Sequence, residues 1–474
     1  MQVELYDTHS SRQLDQIYCQ THATGSLLMM RAASAVFDKL QGFGAGGKIW
    51  YLAGAGNNGG DAYGVAVLAL LRQRAVSLLS CGAALDPLRP VSVFAKELGL
   101  DTQADLPDLQ QISPGDIIVD GLLGIGLNRP PEGAIKTAIN WVNQARKNGA
   151  HVIAIDVPSG LDASSGLTPG AAITADITVM CLTRKQGCYT GSGPDYCGEL
   201  CFDNLGCEAP ETHVDPTTYL IRQSALPTLK RAPSGHKGTH GNVLVLGGWS
   251  GMEGAGALAG LAALKTGAGK VYVCGPDFAQ RPLELIGVEK SLDPFCQTAR
   301  NMDAIVAGPG LGAEADAFLN VVWELDIPLV LDADGLHWLA RTRPKPRSAP
   351  WIATPHPGEA RVLLGTLPEN RFTALQELQD QYGGQWVLQG AGTLTGPDPI
   401  YINPFANSAL GTAGSGDVLA GILGALLAQG CAAPERTAVW LHSKAASLLI
   451  EEGHTRITAS DLIGKLGHAV GALS

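Results

Sequence analysis

Short apolar segments that end in glycine or aspartate recur along the whole sequence, and this pattern constrains the fold more than any other feature. Lys48–Ala53 runs into a segment dense in glycine and asparagine, Asp116–Asp120 into Gly121, and His151–Asp156 into Val157. Apolar segments without polar alternation are typical of parallel strands buried on both faces. Because loops after parallel strands gather at one edge of the sheet, the pattern predicts an α/β fold with a ligand site at that edge.

Two series of such strands are present, and each predicts a sheet of its own. In the first half, helices are expected at Thr24–Leu40 and from near Val65, and strands at Lys48–Ala53, Ala75–Ser80, Asp116–Asp120, His151–Asp156 and Asp176–Cys181. In the second half, helices are expected at Tyr219–Leu229 and Met252–Gly269, and strands at Asn242–Leu246, Lys270–Cys274, Ala304–Ala307, Pro328–Asp332, Trp351–Thr354 and Trp386–Gln389. Prolines interrupt the stretch between the two series and predict a domain boundary near Glu208–Pro216.

Composition and charge exclude several classes of function. A length of 474 residues suffices for two or three domains, and a hydrophobic content of 45% indicates a globular chain. The net charge of -11 argues against a general nucleic-acid binder, because phosphate contacts need a basic face. Since no apolar run reaches membrane length and no signal peptide is recognisable, we expect a cytoplasmic protein with no membrane partner.

The stretch Asn407–Gly421 combines a glycine-rich loop with the start of an apolar helix. Gly411, Gly414 and Gly416 crowd the loop. Such a loop presents backbone N–H groups and the positive end of the helix dipole, which suits a phosphate. Asp417 stands at the mouth of the helix, where its carboxylate can take a proton from a substrate hydroxyl or, alternatively, cap the first turn.

A second glycine-rich loop, Gly54–Asp61, follows the first predicted strand. Its paired amides, Asn57 and Asn58, offer both donors and acceptors, although a plain tight turn is an alternative. Asp120 and Asp156 stand at the ends of later strands and should point into the same crevice, although a strand-end aspartate is also a common helix cap. The first half therefore predicts a ligand site rich in side-chain oxygen atoms.

Three motifs of the first half resemble the epimerase domain of NAD(P)H-hydrate repair proteins. They are Gly56–Asp61, Val119–Asp120 with the loop Gly124–Arg129, and Asp156–Gly160. In that family the domain interconverts the two epimers at C6 of hydrated NADH or NADPH. The chain departs from the family in having alanine directly after Asp61, where the family usually has glycine.

This resemblance implies a K⁺ ion and a set of residues around the hydrate. The K⁺ ligands would be Asn58, Asp120 and Ser159, and Asp120 and Asp156 would be catalytic. The residues that bind the hydrate would be Asn57, Asn58, Gly59, Gly60, Asp61, Gly124, Ile125, Gly126, Leu127, Asn128, Arg129, Pro130 and Asp156.

Five motifs of the second half occur in an order that resembles the ADP- or ATP-dependent NAD(P)H-hydrate dehydratases, which are ribokinase-like enzymes. They are His236–Gly238, Gly308–Gly312, Leu331–Leu336, His356–Glu359 and Gly411–Gly421. The resemblance implies that Asp417 is the catalytic base and that the hydrate is bound by Ala257, Gly310, Gly312, His356 and Asp417. The nucleotide would be held by Gln389, Gly390, Ala391, Gly392, Thr393, Asn407, Gly411, Thr412, Ala413, Gly414, Ser415 and Gly416.

One position of the nucleotide set departs from the family. Gln389 stands where the family usually has lysine, and glutamine offers hydrogen bonds but no charge. The choice between ADP and ATP therefore stays open.

The two resemblances together imply a bifunctional repair enzyme of two domains. A Rossmann-like three-layer αβα epimerase domain would span residues 1–210, and a ribokinase-like αβα dehydratase domain would span residues 219–474. Phosphorylation of the C6 hydroxyl by ADP or ATP, with Mg²⁺ on the nucleotide, would make it a good leaving group, and elimination would restore NADH or NADPH. The partners are then small molecules, and a homo-oligomer is expected from the family.

Two other functions stay open at this point. One is a vitamin kinase of the hydroxymethylpyrimidine or hydroxyethylthiazole type with a regulatory first half. The other is a nucleotide sensor that keeps the folds without catalysis.

Overall fold

The computed structural model describes residues 2–21, 24–43, 47–87, 89–207, 214–249, 251–275 and 282–474. The chain divides into two compact units, one formed by Glu4–Thr218 and one formed mainly by Tyr219–Ser474. The predicted boundary at Glu208–Pro216 lies mostly outside the described residues. None of the helices in the described ranges is both long and apolar enough to cross a membrane.

Strands and helices alternate along the first unit. Strand β1 (Val3–Leu5) belongs to the sheet that also contains the strands after Tyr219. The strands that follow it up to Asp203 are β2 (Ile49–Ala53), β3 (Val76–Ser80), β4 (Thr102–Gln103), β5 (Ile117–Gly121), β6 (His151–Ile155), β7 (Ile177–Cys181) and β8 (Glu199–Asp203). The helices are α1 (Thr8–Thr21), α2 (Gly25–Leu40), α3 (Asn57–Leu71), α4 (Pro90–Glu97), α5 (Gly133–Lys147) and α6 (Gly193–Cys197). The five strands predicted in this half are confirmed to within one residue at either end.

The sheet of the first unit has the order β4-β3-β2-β5-β6-β7-β8, and every neighbouring pair is parallel. Strands β3 and β4 are added on one side of β2, and β5 to β8 are added on its other side. This reversal of strand order creates the topological switch point of a Rossmann-like sheet between β2 and β5. Successive residues of β2 face opposite cores: Ile49 and Tyr51 pack with α2 and α3, whereas Trp50 and Leu52 pack with α5. The predicted three-layer αβα architecture is therefore confirmed.

Helix α3 begins at Asn57, well before the start predicted near Val65. The first turn of α3 packs directly on the end of β2, because a Cβ atom at Gly59 would lie only 1.8 Å from the carbonyl oxygen of Gly54. This close packing outweighs the low helix propensity of glycine. The segment that the sequence assigns to a loop is thus helical.

Strands and helices alternate again in the second unit. Its strands are β9 (Thr218–Leu220), β10 (Asn242–Leu246), β11 (Lys270–Cys274), β12 (Ile286–Gly287), β13 (Ala304–Ala307), β14 (Leu329–Leu331), β15 (Trp351–Ala353), β16 (Gln385–Leu388), β17 (Leu394–Gly396) and β18 (Tyr401–Ile402). Its helices are α7 (Glu253–Thr266), α8 (Leu292–Ala299), α9 (Asp316–Glu324), α10 (Asp334–Thr342), α11 (Pro357–Leu364), α12 (Arg371–Tyr382), α13 (Ser415–Ala428), α14 (Pro434–Glu451) and α15 (Ala459–Gly471).

The second sheet is parallel from β12 to β16, in the order β12-β11-β10-β13-β14-β15-β16, and it continues through β17, β18 and β9. Strand β17 is antiparallel to both of its neighbours. Strands β11 and β12 lie on one side of β10, and β13 to β16 lie on its other side, so a topological switch point lies between β10 and β13. Helix α13 is buried from Val418 to Leu426 and shares one core with α7, α14 and α15.

Four tryptophans form the core on the other face of this sheet. Trp323 of α9 and Trp338 of α10 pack together, and Trp351 of β15 and Trp386 of β16 continue the row, with neighbouring ring centroids 5.2 to 5.6 Å apart. The second unit therefore also has helices on both faces of its sheet.

The helix predicted at Tyr219–Leu229 is wrong. Tyr219 and Leu220 instead pair with β18 at the margin of the sheet, and only a short 3-10 turn follows at Gln223–Ala225. The sheet offers backbone hydrogen bonds to an extended segment, and Pro227 lacks the N–H group that a continuing helix needs.

Candidate functional site

A cavity of about 840 Å³ opens in the first unit beside the loops that follow β2 and β5. It lies at the topological switch point, where open α/β sheets bind ligands. Seven of the residues predicted to bind the hydrate line it, namely Asn57, Asn58, Asp61, Gly124, Ile125, Gly126 and Asp156. The other predicted residues are not part of this lining; they are Gly59, Gly60, Leu127, Asn128, Arg129 and Pro130.

The paired amides lie in the first turn of α3, so the tight-turn alternative is wrong. A guanidinium nitrogen of Arg89 donates to Oδ1 of Asn57 at 3.1 Å. Nδ2 of Asn58 donates to the carbonyl oxygen of Leu123 at 2.8 Å. The second bond leaves Oδ1 of Asn58 as an available acceptor close to Gly124.

Asp120 and Ser159 are almost wholly buried beside this amide. Ser159 donates its N–H to one carboxylate oxygen of Asp120 at 2.8 Å and its hydroxyl to the other at 2.6 Å. Burial raises the pKa of Asp120 to about 6, because these neutral donors only partly replace the lost water. No lysine or arginine forms an ion pair with Asp120 within the described ranges. Side-chain oxygens around an uncompensated buried carboxylate fit a hard monovalent cation.

Asp156 is held by a buried ammonium group instead of capping a helix. Its Oδ1 atom contacts Nζ of Lys185 and accepts the N–H of Cys181 at 3.0 Å. Asp61 and Asp15 line the same cavity, and desolvation raises the pKa of Asp61 well above its usual range, with a further contribution from the charge on Asp156. The first site thus combines several carboxyl groups with one buried cation.

In the second unit, the N-terminus of α13 presents the predicted base. Gly414, in the left-handed region with φ 83°, is the N-cap residue, and Asp417 lies in the first turn. The Asp417 carboxylate accepts no hydrogen bond from any residue in the described ranges, so the capping alternative finds no support. The hydroxyl of Ser415 donates to the carbonyl oxygen of Leu410 at 2.7 Å and fixes the loop that enters the helix.

Side chains at the ends of three neighbouring strands converge below this turn. The hydroxyl of Thr354, after β15, donates to Oδ1 of Asp332, after β14, at 2.7 Å. Nε2 of Gln389, after β16, donates to the carbonyl oxygen of Thr354. A Cβ atom built on Gly416 would lie 3.9 Å from Oδ2 of Asp332 and 4.0 Å from Nε2 of Gln389. The glycine-rich loop before α13 and the carboxyl edge of the sheet therefore line the same site.

Burial raises the pKa of the carboxyl groups at this site, and neighbouring carboxylates add to the effect. Burial raises the pKa of Asp417 to about 7, and the neighbouring charge of Asp332 contributes. Burial likewise raises the pKa of Asp332 to about 7, with a contribution from Glu359. A base with a pKa near the working pH suits proton transfer.

Arg371 shapes the loop Gln389–Thr393, which is predicted to hold the nucleotide. Its guanidinium donates to the carbonyl oxygens of Leu388 at 2.9 Å, Gln389 at 3.0 Å and Gly392 at 3.1 Å, and it also contacts that of Ala391. These bonds hold the loop carbonyls toward Arg371. The sequence gives no signal for this role.

Two further residues of the predicted hydrate site, Gly312 and His356, lie in turns that hydrogen bonds hold in place. Oδ2 of Asp334 accepts the N–H groups of Leu311 at 2.9 Å and Gly312 at 2.8 Å, which holds the Gly308–Gly312 loop. His356 caps α11, because its Nδ1 accepts the N–H of Gly358 at 2.9 Å within a capping box. Its exposed ring can still contact a ligand, so the structural and functional interpretations of His356 coexist.

Comparison with known proteins finds relatives of both halves. A family described as NAD(P)H-hydrate dehydratase matches residues 243–467, and one described as YjeF-related protein N-terminus matches residues 25–187. The bifunctional NAD(P)H-hydrate repair enzyme Nnr of Coxiella burnetii is 37% identical over 98% of this chain and 98% of its own. The chain belongs to the family of bifunctional NAD(P)H-hydrate repair enzymes. The Escherichia coli member is 36% identical over 94% of this chain and 89% of its own.

One solved structure shows the fold of part of this repair enzyme. A ribokinase-like superfamily protein from Enterococcus faecalis V583 covers 56% of the chain and 99% of its own, with a TM-score of 0.51 and 22% identity. This likeness confirms the ribokinase-like fold that the sequence predicts.

Several site residues of this repair enzyme were missed by sequence reasoning. Asp332 and Asp334 lie in a quoted motif after a predicted strand, a signal that could have assigned them. Lys185 and Arg371 lie in no recognisable pattern, and only the fold brings them to Asp156 and to the nucleotide loop.

Proposed function

We propose that this repair enzyme converts hydrated NADH and NADPH back to the reduced cofactors in two steps. Residues 1–210 epimerise the R and S hydrates at C6, and residues 219–474 dehydrate the S epimer with ADP or ATP. The observation that carries the proposal is Asp417, which lies at the N-terminus of α13 with its pKa raised to about 7 by burial. A helix N-terminus that offers both phosphate-binding amides and a free base suits phosphorylation of a substrate hydroxyl.

In the dehydration step, Asp417 accepts the proton of the C6 hydroxyl as the phosphoryl group is transferred. The backbone N–H groups of Gly414–Gly416 stabilise the charge on that group. The Gln389–Thr393 loop and the Asn407–Ala413 segment hold the remainder of the nucleotide, and Ala257, Gly310, Gly312 and His356 line the hydrate site. Phosphate then leaves C6 and a proton leaves C5 to solvent, which restores the ring double bond.

The donor set near Gly416 fits a divalent cation that arrives with the nucleotide. Asp332 faces Gly416 with one carboxylate oxygen, and the charges of neighbouring carboxylates leave this place negative. Mg²⁺ prefers such oxygen ligands and substrate phosphates, and it would neutralise the transferring phosphoryl group. Asp332 is the residue that would hold it.

In the epimerase site, we assign Asn58, Asp120 and Ser159 to K⁺ and Asp156 to proton transfer at C6. The support for the cation is the buried Asp120 carboxylate, which is surrounded by neutral donors. A bound K⁺ would offset its charge and fix the loop that carries Gly124–Gly126. The remaining residues of the two predicted loops, Gly59, Gly60 and Leu127–Pro130, belong to the same proposed hydrate site.

The test uses purified R and S hydrates with the full chain. With ADP or ATP, we expect both epimers to yield NADH, which is followed by its absorbance. A stable phosphorylated product would instead identify a vitamin kinase, and tight nucleotide binding without turnover would identify a sensor.

A second test concerns the division of labour. Residues 1–210 alone should epimerise NADPH hydrate without nucleotide, and residues 219–474 alone should consume only one epimer. If the second fragment consumed both epimers at equal rates, faster than spontaneous epimerisation, the assignment of the two steps would be wrong.

We also propose a cytoplasmic location and a homo-oligomer, which the family resemblance supports. All ten cysteines are free thiols, as a reducing compartment requires. Light scattering coupled to size-exclusion chromatography tests the assembly, and a monomeric mass would reject it.

A further inference from the structure

Lys185 is a buried cation at the first site for which no role has been assigned. Its side chain is only 3% exposed. The ammonium group contacts Asp156 and donates to the carbonyl oxygen of Cys181 at 2.7 Å. A buried ammonium loses its hydration and is tolerated only beside an opposite charge or good acceptors. The pair therefore fixes both side chains in the cavity lining, to which Lys185 and Asp156 both belong.

The contacts of Asp156 are confined to one of its carboxylate oxygens. Oδ1 receives both the Lys185 ammonium and the N–H of Cys181. Oδ2 accepts no hydrogen bond from the described residues, although Asp156 lines the cavity. The backbone of Asp156 is in the left-handed region, with φ 65°, which is uncommon for a residue other than glycine and marks a constrained position. One oxygen is thus anchored and the other is left for a ligand.

A second carboxyl group, that of Asp61, lines the same cavity from α3. The charged and titratable groups that face Asp61 are Asp15 of α1, Arg89 before α4, Asp156 after β6, Cys181 at the end of β7, and Lys185. Desolvation raises the pKa of Asp61 well above its usual range, and the charges of Asp156 and Asp15 add to this. The protonated form of Asp61 is therefore favoured more strongly than that of an exposed aspartate. Two carboxyl groups in different environments suit the roles of acid and base.

We propose that Lys185 is a positioning residue for epimerisation, which holds Oδ1 of Asp156 so that Oδ2 meets the reacting C6 centre while Asp61 supplies the proton. This inference rests on the proposed epimerase function of the first unit. It adds to that function the residue that orients the base and the group that acts as the acid.

The reaction that this arrangement serves balances without any co-reactant. Asp61 gives its proton to the C6 hydroxyl oxygen, the C6–O bond breaks, water leaves, and the lone pair of the ring nitrogen forms a C=N bond. Water then forms a new C6–O bond on the opposite face and gives a proton to Oδ2 of Asp156. Exchange with solvent returns one proton to Asp61 and removes one from Asp156, so the site is restored.

The test compares Lys185→Met with Lys136→Met in the full chain, with purified R hydrate and no nucleotide. Lys136 is an exposed lysine of α5 in the same unit and serves as the matched control. We expect Lys185→Met to lower the kcat of epimerisation about 10- to 100-fold, as misplacement of a reacting group does, with little change in KM. Dehydration of S hydrate with ADP by the same preparation should be unchanged and shows that the chain is folded.

Rescue by a conservative variant separates positioning from a purely structural role. Lys185→Arg keeps a cation beside Oδ1 of Asp156 and should recover most of the kcat of epimerisation that Lys185→Met loses, because Oδ1 stays anchored. If Lys185→Arg were as slow as Lys185→Met, while both variants dehydrate S hydrate at the wild-type rate, the proposal would be overturned.

A double variant decides the matter even if Lys185→Met fails to fold. Asp156→Asn/Lys185→Met buries neither charge and should lose no more activity than Asp156→Asn alone, because Lys185 acts through Asp156. Losses that multiply would contradict this. Full-rate epimerisation by Lys185→Met would reject only the role of Lys185, whereas a wild-type chain that does not exceed the spontaneous rate would reject the epimerase function itself.

Discussion

The two sites differ in whether a cationic side chain lies beside a buried carboxylate. In the first unit, Asp156 has a cation of the protein beside it, the buried Lys185. In the second unit, burial raises the pKa of both Asp332 and Asp417, the charge of Asp332 raises that of Asp417 further, and no lysine or arginine of the described ranges offsets them. The first site therefore holds a cation of the chain among its carboxyl groups, whereas the second holds none within the described ranges.

This difference follows from what each site has to receive. In the proposed epimerisation only protons and water move, so the ammonium beside Asp156 can stay in place throughout. The proposed dehydration brings the phosphates of a nucleotide to the second site, and carboxylates would repel them unless a cation arrives at the same time. The negative charge of the second site thus favours a nucleotide that brings its own metal ion over a bare anion.

The largest expected effect is on dehydration, in Asp417→Asn. Asparagine keeps the shape of the side chain but cannot accept the hydroxyl proton, so turnover should fall on the order of 10²–10⁴-fold, while calorimetric nucleotide affinity stays nearly intact. Asp293→Asn, in the first turn of α8, is the matched control for loss of a helix-terminal charge. If Asp417→Asn kept more than about a tenth of the turnover, Asp417 would not be the base.

The second largest effect is expected on epimerisation at the first site, in Asp120→Asn. Loss of the carboxylate should lower epimerisation roughly 10- to 100-fold, in the range that weakened support of a metal site usually costs. A rubidium- or thallium-soaked crystal should show an anomalous peak among Asn58, Asp120 and Ser159 in the wild type. Asp105→Asn, an exposed position, should change neither result. An anomalous peak elsewhere, or none near Asp120, would count against the K⁺ assignment.

A smaller effect is expected on the pH dependence of dehydration. Because Asp417 must be ionised to act as a base and has a pKa of about 7, kcat/KM should fall about tenfold for each pH unit below 7. Asp332→Asn removes a neighbouring negative charge, lowers the pKa of Asp417 and should shift this fall of kcat/KM to lower pH. An unchanged pH dependence in Asp332→Asn would show that the two carboxyl groups do not interact.

The smallest effect would come from giving the second site a cation of its own. Gln389→Lys places an ammonium group near Asp332 and the glycine loop, so the affinity for ADP and ATP should rise a few-fold, corresponding to about 1 kcal/mol for a partly exposed pair. Gln389→Met is the control for loss of the hydrogen bond to Thr354. Isothermal titration should rank the lysine variant above the methionine variant, and the reverse order would contradict the charge argument.

The sequence predicted the two αβα folds because buried parallel strands are continuous apolar runs, and their ends are marked by glycine and aspartate. It also predicted which loops carry Asp156 and Asp417, since loops at the carboxyl edge converge whatever their order along the chain. It could not predict the start of α3 at Asn57, which depends on contact with the end of β2. Nor could it find Lys185, because a partner 29 residues away is set by the fold and by no local pattern.

The helical state of Asn57–Asp61 has a consequence for binding. A loop that orders around its ligand gives up backbone freedom worth about 1–2 kcal/mol per residue, and this loss weakens the observed affinity. In α3 that freedom has already been lost on folding, and Gly59 is locked against Gly54 before any ligand arrives. If this turn binds the hydrate as proposed, its contacts would contribute nearly in full to the affinity, and the site would capture a scarce, damaged cofactor at low concentration.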